Sequence, residues 1–78
     1  MQTNSTSRIQ VIDYRDNCWI GIKDLRNRLT MARTGQTFSF ICEEDQISRI
    51  LRVIVYNDGA ITNRMDKEDG VFITVRKT

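Results

Sequence analysis

The sequence predicts an α+β protein: a two-layer α/β sandwich with the element order β-α-β-α-β-β, in which two helices cover one face of a four-stranded mixed sheet. Short segments that alternate or are rich in β-branched residues predict the strands, and two longer segments of helical spacing separate the first three. A chain of 78 residues has room for one hydrophobic core. We therefore expect one domain over residues 8–78 after a flexible N-terminus at 1–7.

The first strand is predicted at residues 8–14, where Arg-Ile-Gln-Val-Ile-Asp-Tyr alternates between two faces. From Trp19 onward the period is that of an amphipathic helix, whose core face carries Ile22, Leu25, Leu29 and Ala32. Gly35 after Thr34 predicts the end of this helix, because glycine is the usual residue just past a helix end. The segment 37–42 is rich in aromatic and β-branched residues, which predicts a buried second strand.

The second half of the chain predicts one more helix and two strands. Asp45, the last of three acidic residues, is placed to cap the helix. The core face of this helix is predicted to carry Ile47, Ile50, Leu51, Ile54 and Val55. Asn-Asp-Gly at 57–59 ends the helix, and residues 60–65 and 71–76 predict two strands joined by a turn at 67–70.

The composition excludes several classes of protein. Histidine is absent, so neither a Ser-His-Asp nor a Cys-His hydrolase is possible, and two cysteines alone cannot close a tetrahedral zinc site or a secreted disulfide framework. The four glycines are too scattered for a phosphate-binding loop, and a net charge of +2 is too small to indicate nucleic-acid binding. No apolar run has the length of a membrane span, and residues 1–7 lack the layout of a signal peptide. We therefore expect a cytoplasmic protein whose thiols are reduced.

Cys18 lies at the predicted turn from the first strand to the first helix. Unpaired N–H groups at a helix start carry roughly half a positive charge, which favours the thiolate form of a cysteine held there. A reactive thiol is therefore one interpretation. The other is a small, half-buried residue that fills the turn.

Six landmarks occur in a recognisable order: Asp13-Tyr14-Arg15 before Cys18, Thr34-Gly35-Gln36, Glu43-Glu44, Gly59, Asp69-Gly70 and Arg76-Lys77. Together they resemble the TusA/SirA-like sulfur-carrier family over nearly the whole chain. The family's Cys-Pro-x-Pro motif is degenerate here, since Cys18-Trp19-Ile20-Gly21 keeps the cysteine and lacks both prolines. Because proline fixes φ and glycine frees it, we expect a looser turn in this chain.

The resemblance implies a small cytoplasmic sulfur carrier, similar to a sulfurtransferase rather than a stand-alone enzyme. Cys18 would accept sulfane sulfur as a persulfide from a desulfurase-type donor and pass it to an acceptor protein, with no metal or organic cofactor. Asp13, Arg15 and Trp19 would support the turn that holds Cys18. The resemblance implies neither a membrane partner nor direct binding of nucleic acid.

Other residues allow two interpretations each. Trp19 either begins the apolar face of the helix, which we expect, or is a partly exposed anchor for a partner. Cys42 ends the second strand, at the same sheet edge as Cys18 if the first two strands are parallel, and is either a resolving thiol or a buried strand end. Four cationic residues of the two helices face either a partner or solvent: Lys23, Arg26, Arg49 and Arg52.

Two other functions remain open. A relative without the prolines would serve as a non-catalytic module that binds a protein, or a flat, flavin-type ligand against Trp19 and the open sheet face. The β-α-β-α-β-β sandwich also resembles the C-terminal domain of a bacterial translation initiation factor, which implies an RNA-binding domain with Arg26 and Arg49 near phosphates. Only the sulfur carrier is expected to lose its function in a Cys18→Ser variant.

Overall fold

The computed structural model describes residues 11–78, with Cys18 described by its backbone alone. The elements in chain order are β1 (Val11–Asp13), α1 (Cys18–Met31), β2 (Thr37–Cys42), α2 (Ile47–Tyr56), β3 (Gly59–Lys67) and β4 (Gly70–Lys77). This is the predicted order. The flexible segment expected at 1–7 and the first residues of the expected strand, 8–10, lie outside the described residues.

The sheet is four-stranded and mixed, with the strand order β1-β2-β4-β3. β1 pairs with β2 in parallel, and β4 pairs antiparallel with both β2 and β3. β3 therefore runs parallel to β2, with β4 between them. Each helix connects two parallel strands, as a β-α-β unit requires.

Both helices lie on one face of the sheet, so the fold is the predicted two-layer α/β sandwich of the α+β class. Cross-strand pairing places Phe40 beside Ile73 and Cys42 beside Val71 on the covered face. The residues that α1 and α2 bury against this face are fully or almost fully buried: Leu25, Leu29, Ile47, Ile50 and Ile54. The opposite face carries polar contacts, such as the 2.8 Å hydrogen bond between the hydroxyls of Ser39 and Thr74.

Helix α1 ends at Met31, three residues before the predicted end at Thr34. Ala32 already has an extended backbone, with φ −76° and ψ 148°. Gly35 does not cap the helix; it has a φ of +90° in the turn that leads into β2. The prediction was wrong because a glycine with positive φ serves a turn as well as a helix end.

Two details of α2 also differ from the prediction. Asp45 does not cap it, because residues 44–46 form a short 3₁₀ turn before the helix and Glu43 is the residue at the start of that turn. Val55 was expected on the core face and is 68% exposed. The other four residues of the predicted stripe are buried or half-buried.

Lys77 joins the carboxyl ends of the two helices. Its Nζ donates to the backbone oxygen of Leu29 at 2.8 Å and to that of Asn57 at 3.3 Å. The Leu29 oxygen also accepts from the N–H of Ala32, the C-cap of α1, at 3.3 Å. The negative end of a helix dipole favours a cation at such carbonyl groups. Within residues 11–78, neither helix has the length and apolar character needed to cross a membrane.

Candidate functional site

The candidate site lies at the edge of the sheet where the parallel strands β1 and β2 end. The connections that follow these strands, 14–17 and 43–46, meet there. The turn between β3 and β4 lies at the same edge, because Val71 at the start of β4 pairs with Cys42 at the end of β2. In sheets with parallel strands this edge is a common position for binding sites.

Cys18 is the first residue of α1, directly after its N-cap, Asn17. The Asn17 backbone is extended, and its Oδ1 accepts a hydrogen bond from the N–H of Ile20 at 3.1 Å. The first turn of this 14-residue helix contains no acidic side chain. The partial positive charge of the helix start is therefore not neutralised from within the first turn. The side chain of Cys18 lies outside the described residues.

Asp13 and Arg15 close the turn before Asn17. The guanidinium of Arg15 binds the Asp13 carboxylate through two contacts of 2.8 and 3.0 Å, and the Arg15 N–H donates to the same carboxylate at 2.9 Å. These hydrogen bonds from Arg15 lower the pKa of Asp13 from 3.8 to about 2. Arg15 also donates to the backbone oxygen of Asp69 at 2.9 Å, which ties the turn to the β3–β4 connection. The ion pair of Asp13 with Arg15 therefore holds the turn before α1 against the β3–β4 connection.

Tyr14 fastens α1 to the end of β1. It is buried, its ring lies 5.1 Å from that of Phe40, and its hydroxyl donates to Asp24 Oδ2 at 2.5 Å. Arg28 Nε donates to the same oxygen at 2.7 Å. Burial, and then the neighbouring carboxylate of Asp24, raise the pKa of Tyr14 above its ordinary range. This cluster was not predicted, although Asp24 and Arg28 have the i, i+4 spacing of a helical ion pair.

Gly21 lets Tyr14 approach the helix. A Cβ at this position would lie 3.0 Å from both Cβ and Cγ of Tyr14. Glycine therefore allows a close contact between α1 and β1. This packing role is separate from the backbone freedom on which the expectation of a looser turn is based, and that expectation stays a prediction.

Gln46 joins the two connections of the site. Its side chain is buried; Nε2 donates to the backbone oxygen of Tyr14 at 3.1 Å, and Oε1 accepts from the N–H of Glu43 at 2.7 Å. Both polar ends are thus satisfied, which favours its burial. The sequence analysis did not single out Gln46, although Glu43 and Gln46 have the spacing of a capping box.

Trp19 and Ile20 are exposed beside Cys18, to 70% and 62% respectively. The expectation that Trp19 begins the core face of the helix was wrong. Leu25 and Leu29 are buried further along α1. The first turn lies at the edge of the sheet, where less of the sheet is available for packing.

Cys42 lies at the same edge of the sheet as the start of α1, since β1 and β2 are parallel. It is fully buried on the covered face, and its Sγ lies 3.8 Å from the backbone oxygen of Val71. A partner protein has no access to this thiol unless the structure opens locally.

The cationic residues proposed to face a partner are all exposed and are divided between the helices, with Lys23 and Arg26 on α1 and Arg49 and Arg52 on α2. Arg49 lines an open cleft between the starts of the two helices. The cleft is lined also by Arg15, Asp16, Glu43, Asp45 and Gln46. Its charge is therefore mixed, and the four predicted cations do not form one basic patch there.

Within the described part of the chain, no three Cys, Asp or Glu side chains cluster in a way that would hold a metal ion. Comparison of the chain with protein-family models, with curated proteins and with solved structures finds no match.

Proposed function

We propose that this chain is a small sulfur carrier of the TusA/SirA-like kind, in which Cys18 accepts sulfane sulfur and relays it to a partner protein. The observation that supports this best is that Cys18 is the first residue of the 14-residue helix α1, with two exposed apolar residues beside it. Backbone N–H groups at a helix start stabilise a thiolate, and the thiolate is the form that attacks sulfur. We place the carrier in the cytoplasm, where thiols remain reduced.

The transfer needs no external oxidant or reductant. The Cys18 thiolate attacks the outer sulfur of a cysteine persulfide on the donor; a new S–S bond forms at Cys18, the donor's S–S bond breaks, and its electron pair leaves with the donor cysteine as a thiolate. In the second transfer, a thiolate of the acceptor attacks the outer sulfur on Cys18. The Cys18 thiolate leaves and is ready for another cycle.

Hydrogen bonds supply the rigidity that the missing prolines would otherwise give the turn. The ion pair of Asp13 with Arg15 holds the residues before the helix, and Asn17 caps its first turn. Tyr14 and Asp24 fasten the helix to β1. These contacts hold the start of α1, where Cys18 lies, and a carrier that meets two different partners needs such a constant attachment.

The proposal is tested by incubating the reduced protein with a cysteine desulfurase and free cysteine, then measuring intact masses. The wild type and Cys42→Ser are expected to gain one sulfur atom that a reductant removes, and Cys18→Ser is expected to gain none. Cys42→Ser is the matched control, because it removes the buried thiol and keeps the one at the helix start. An unmodified Cys18 with both a desulfurase and inorganic polysulfide as donors would overturn the proposal.

A non-catalytic protein-binding module is the second candidate, and the 70% exposure of Trp19 is the observation that favours it. Exposed tryptophans are common anchors of protein interfaces. The same experiment separates the two functions, because a module that only binds would gain no sulfur. The Cys18→Ser variant of such a module would bind its partner as tightly as the wild type does.

A further inference from the structure

We propose that the edge around Cys18 docks a protein partner that presents an apolar pocket bordered by lysine or arginine residues. This docking surface has two apolar residues and four acidic ones: Trp19, Ile20, Asp16, Glu43, Glu44 and Asp45. This inference rests on the proposed function and specifies the kind of sulfur donor that the carrier accepts.

The charges of the molecule are distributed unevenly between the two edges of the sheet. The segments 13–17, 43–46 and 67–70, at the edge of Cys18, contain seven carboxylates and two cationic side chains. The segments 32–36, 57–59 and 76–78, at the opposite edge, contain three cationic side chains and one carboxylate. Arg49 of α2 adds one more cationic side chain at the edge of Cys18, because it lines the same cleft. Carboxylates still outnumber cations at this edge, whereas the net charge of the chain is +2.

Most of these carboxylates are available to a partner. Among residues 11–78, Asp13 is the only one of the seven that takes part in an ion pair within 4 Å. Asp16, Glu43, Glu44 and Asp45 are all exposed. Their charges therefore act on a molecule that approaches the edge, and the range of this action decreases as salt is added.

The apolar and acidic parts form one continuous surface. Ile20 and Asp16 line a groove beside α1, and Asp16 also lines the cleft that Glu43 and Asp45 border. Trp19 precedes Ile20 in the first turn of the helix, and both side chains are exposed. An exposed tryptophan at the border of an acidic surface has the anatomy of an interface anchor with a polar rim.

Charge decides which class of partner fits. Phosphates of RNA and the anionic headgroups of a membrane would be repelled by the exposed carboxylates of this edge. A protein with basic side chains around an apolar pocket would be attracted by the carboxylates and held by Trp19. The partner expected first is the protein that delivers sulfur to Cys18.

The test compares two sulfur donors, a cysteine desulfurase supplied with free cysteine and inorganic polysulfide, which needs no docking. We expect Trp19→Ala to lower the rate of Cys18 loading by the desulfurase at least about tenfold more than the rate with polysulfide. Tyr56→Ala is the matched control, because Tyr56 is an 81% exposed aromatic residue at the carboxyl end of α2. It is expected to load at the wild-type rate with both donors.

The contribution of charge is tested with the triple variant Glu43→Gln, Glu44→Gln, Asp45→Asn, which keeps the size and one acceptor oxygen of each side chain. Loading of the wild type by the desulfurase is expected to slow steeply as potassium chloride is raised. The triple variant is expected to load several-fold more slowly at low salt and to lose most of the salt dependence.

The outcomes distinguish this inference from the proposed function. If neither donor loads Cys18 of the wild type, the sulfur-carrier function itself is wrong. If polysulfide loads Cys18 but the desulfurase does not, or if Trp19→Ala and the triple variant load like Tyr56→Ala, the docking surface is wrong and the carrier function stands. Binding of the wild type to single-stranded RNA or to phosphatidylserine vesicles that Trp19→Ala weakens would likewise overturn the docking proposal.

Discussion

Tyr14 is the residue on which the start of α1 depends most. Its backbone N–H donates to Ile41 of β2, its buried ring packs against Phe40 of β2, and its hydroxyl donates to Asp24 of α1. Gly21 packs against the base of the side chain, and Asp24 binds its tip. The position of Cys18 at the helix start therefore depends on packing from a residue four positions earlier in the chain.

We expect Gly21→Ala to destabilise the protein by about 1 kcal/mol, measured by urea unfolding. Alanine favours a helix over glycine by about 1 kcal/mol, but overpacking typically costs about 1–3 kcal/mol. Overpacking prevails here because the new Cβ would lie 3.0 Å from the Cβ of Tyr14, an atom that cannot move without the backbone.

The control is the same substitution in a Tyr14→Ala background. Tyr14→Ala removes the close contacts with Cγ and Cδ1 and keeps the one with Cβ, so Gly21→Ala is expected to cost less there. Equal destabilisation in both backgrounds would show that Tyr14 does not explain the glycine.

The lowered pKa of Asp13 predicts how the stability of the fold responds to acid. Because Arg15 lowers the pKa of Asp13 in the folded protein to about 2, the pair stabilises the fold fully above the ordinary pKa of 3.8. This stabilisation is lost as the pH falls through about 2, since the folded carboxylate must then accept a proton. The difference in free energy of unfolding between the wild type and Asp13→Asn is therefore expected to shrink between pH 4 and pH 2.

Urea titrations of both proteins at several pH values measure this difference. A difference that stays constant from pH 5 to pH 2 would contradict the ion pair with Arg15. The Asp66→Asn variant serves as a comparison, because Asp66 forms an exposed ion pair with Arg64 in the β3–β4 hairpin, away from the turn before α1.

At the scale of elements, one side chain lies at the starts of both helices and another side chain lies at their carboxyl ends. At the starts of the helices, Gln46 connects the two loops with both ends of its amide. At the carboxyl ends, Lys77 of β4 binds one backbone carbonyl from each helix end. The helices are thus attached to the sheet by side chains as well as by the core between the layers.

We expect Lys77→Met to lower the free energy of unfolding by about 1–2 kcal/mol. Methionine keeps the apolar stem of lysine, so the change removes the cation from two helix ends and leaves their carbonyl oxygens without this donor. Arg76→Met is the control, because Arg76 is exposed and adjacent in β4. Chemical unfolding of both variants is the measurement, and equal losses would mean that the helix ends do not depend on Lys77.

At the scale of the whole molecule, the sandwich buries Cys42 completely. Cys42 lies in the core between the layers, whereas Cys18 begins a helix at the edge of the sheet. Exchange with another protein requires access to a thiol. The fold therefore denies a partner protein access to Cys42 unless the core opens.

Alkylation of Cys42 with iodoacetamide is expected to report this burial. In the native protein Cys42 should react only through opening of the core, so its rate should rise by orders of magnitude in urea at concentrations that unfold the chain. Peptide mass spectrometry after timed labelling measures each cysteine separately. Fast native labelling of Cys42 would contradict its burial, and the Cys18→Ser variant removes any interference from the other thiol.

The element order and the two-layer class could be predicted because they depend on local periodicity. The four apolar residues of α2 that are buried or half-buried belong to a stripe visible at helical spacing, and β2 is marked by its aromatic and β-branched residues. Cys18 at the strand-to-helix turn was predictable for the same reason. Such patterns indicate which side of an element is apolar.

The sequence by itself determined the class of fold, the location of Cys18 at a helix start and the closeness of Cys42 to the same edge. Only the tertiary structure decided that Trp19 is exposed, that Gly21 serves a contact with Tyr14, and that Gln46 and Lys77 hold the helix ends. The physical reason is that periodicity describes one element at a time. Burial and hydrogen bonding depend on which atoms of other elements lie opposite, and those atoms are brought together only when the chain folds.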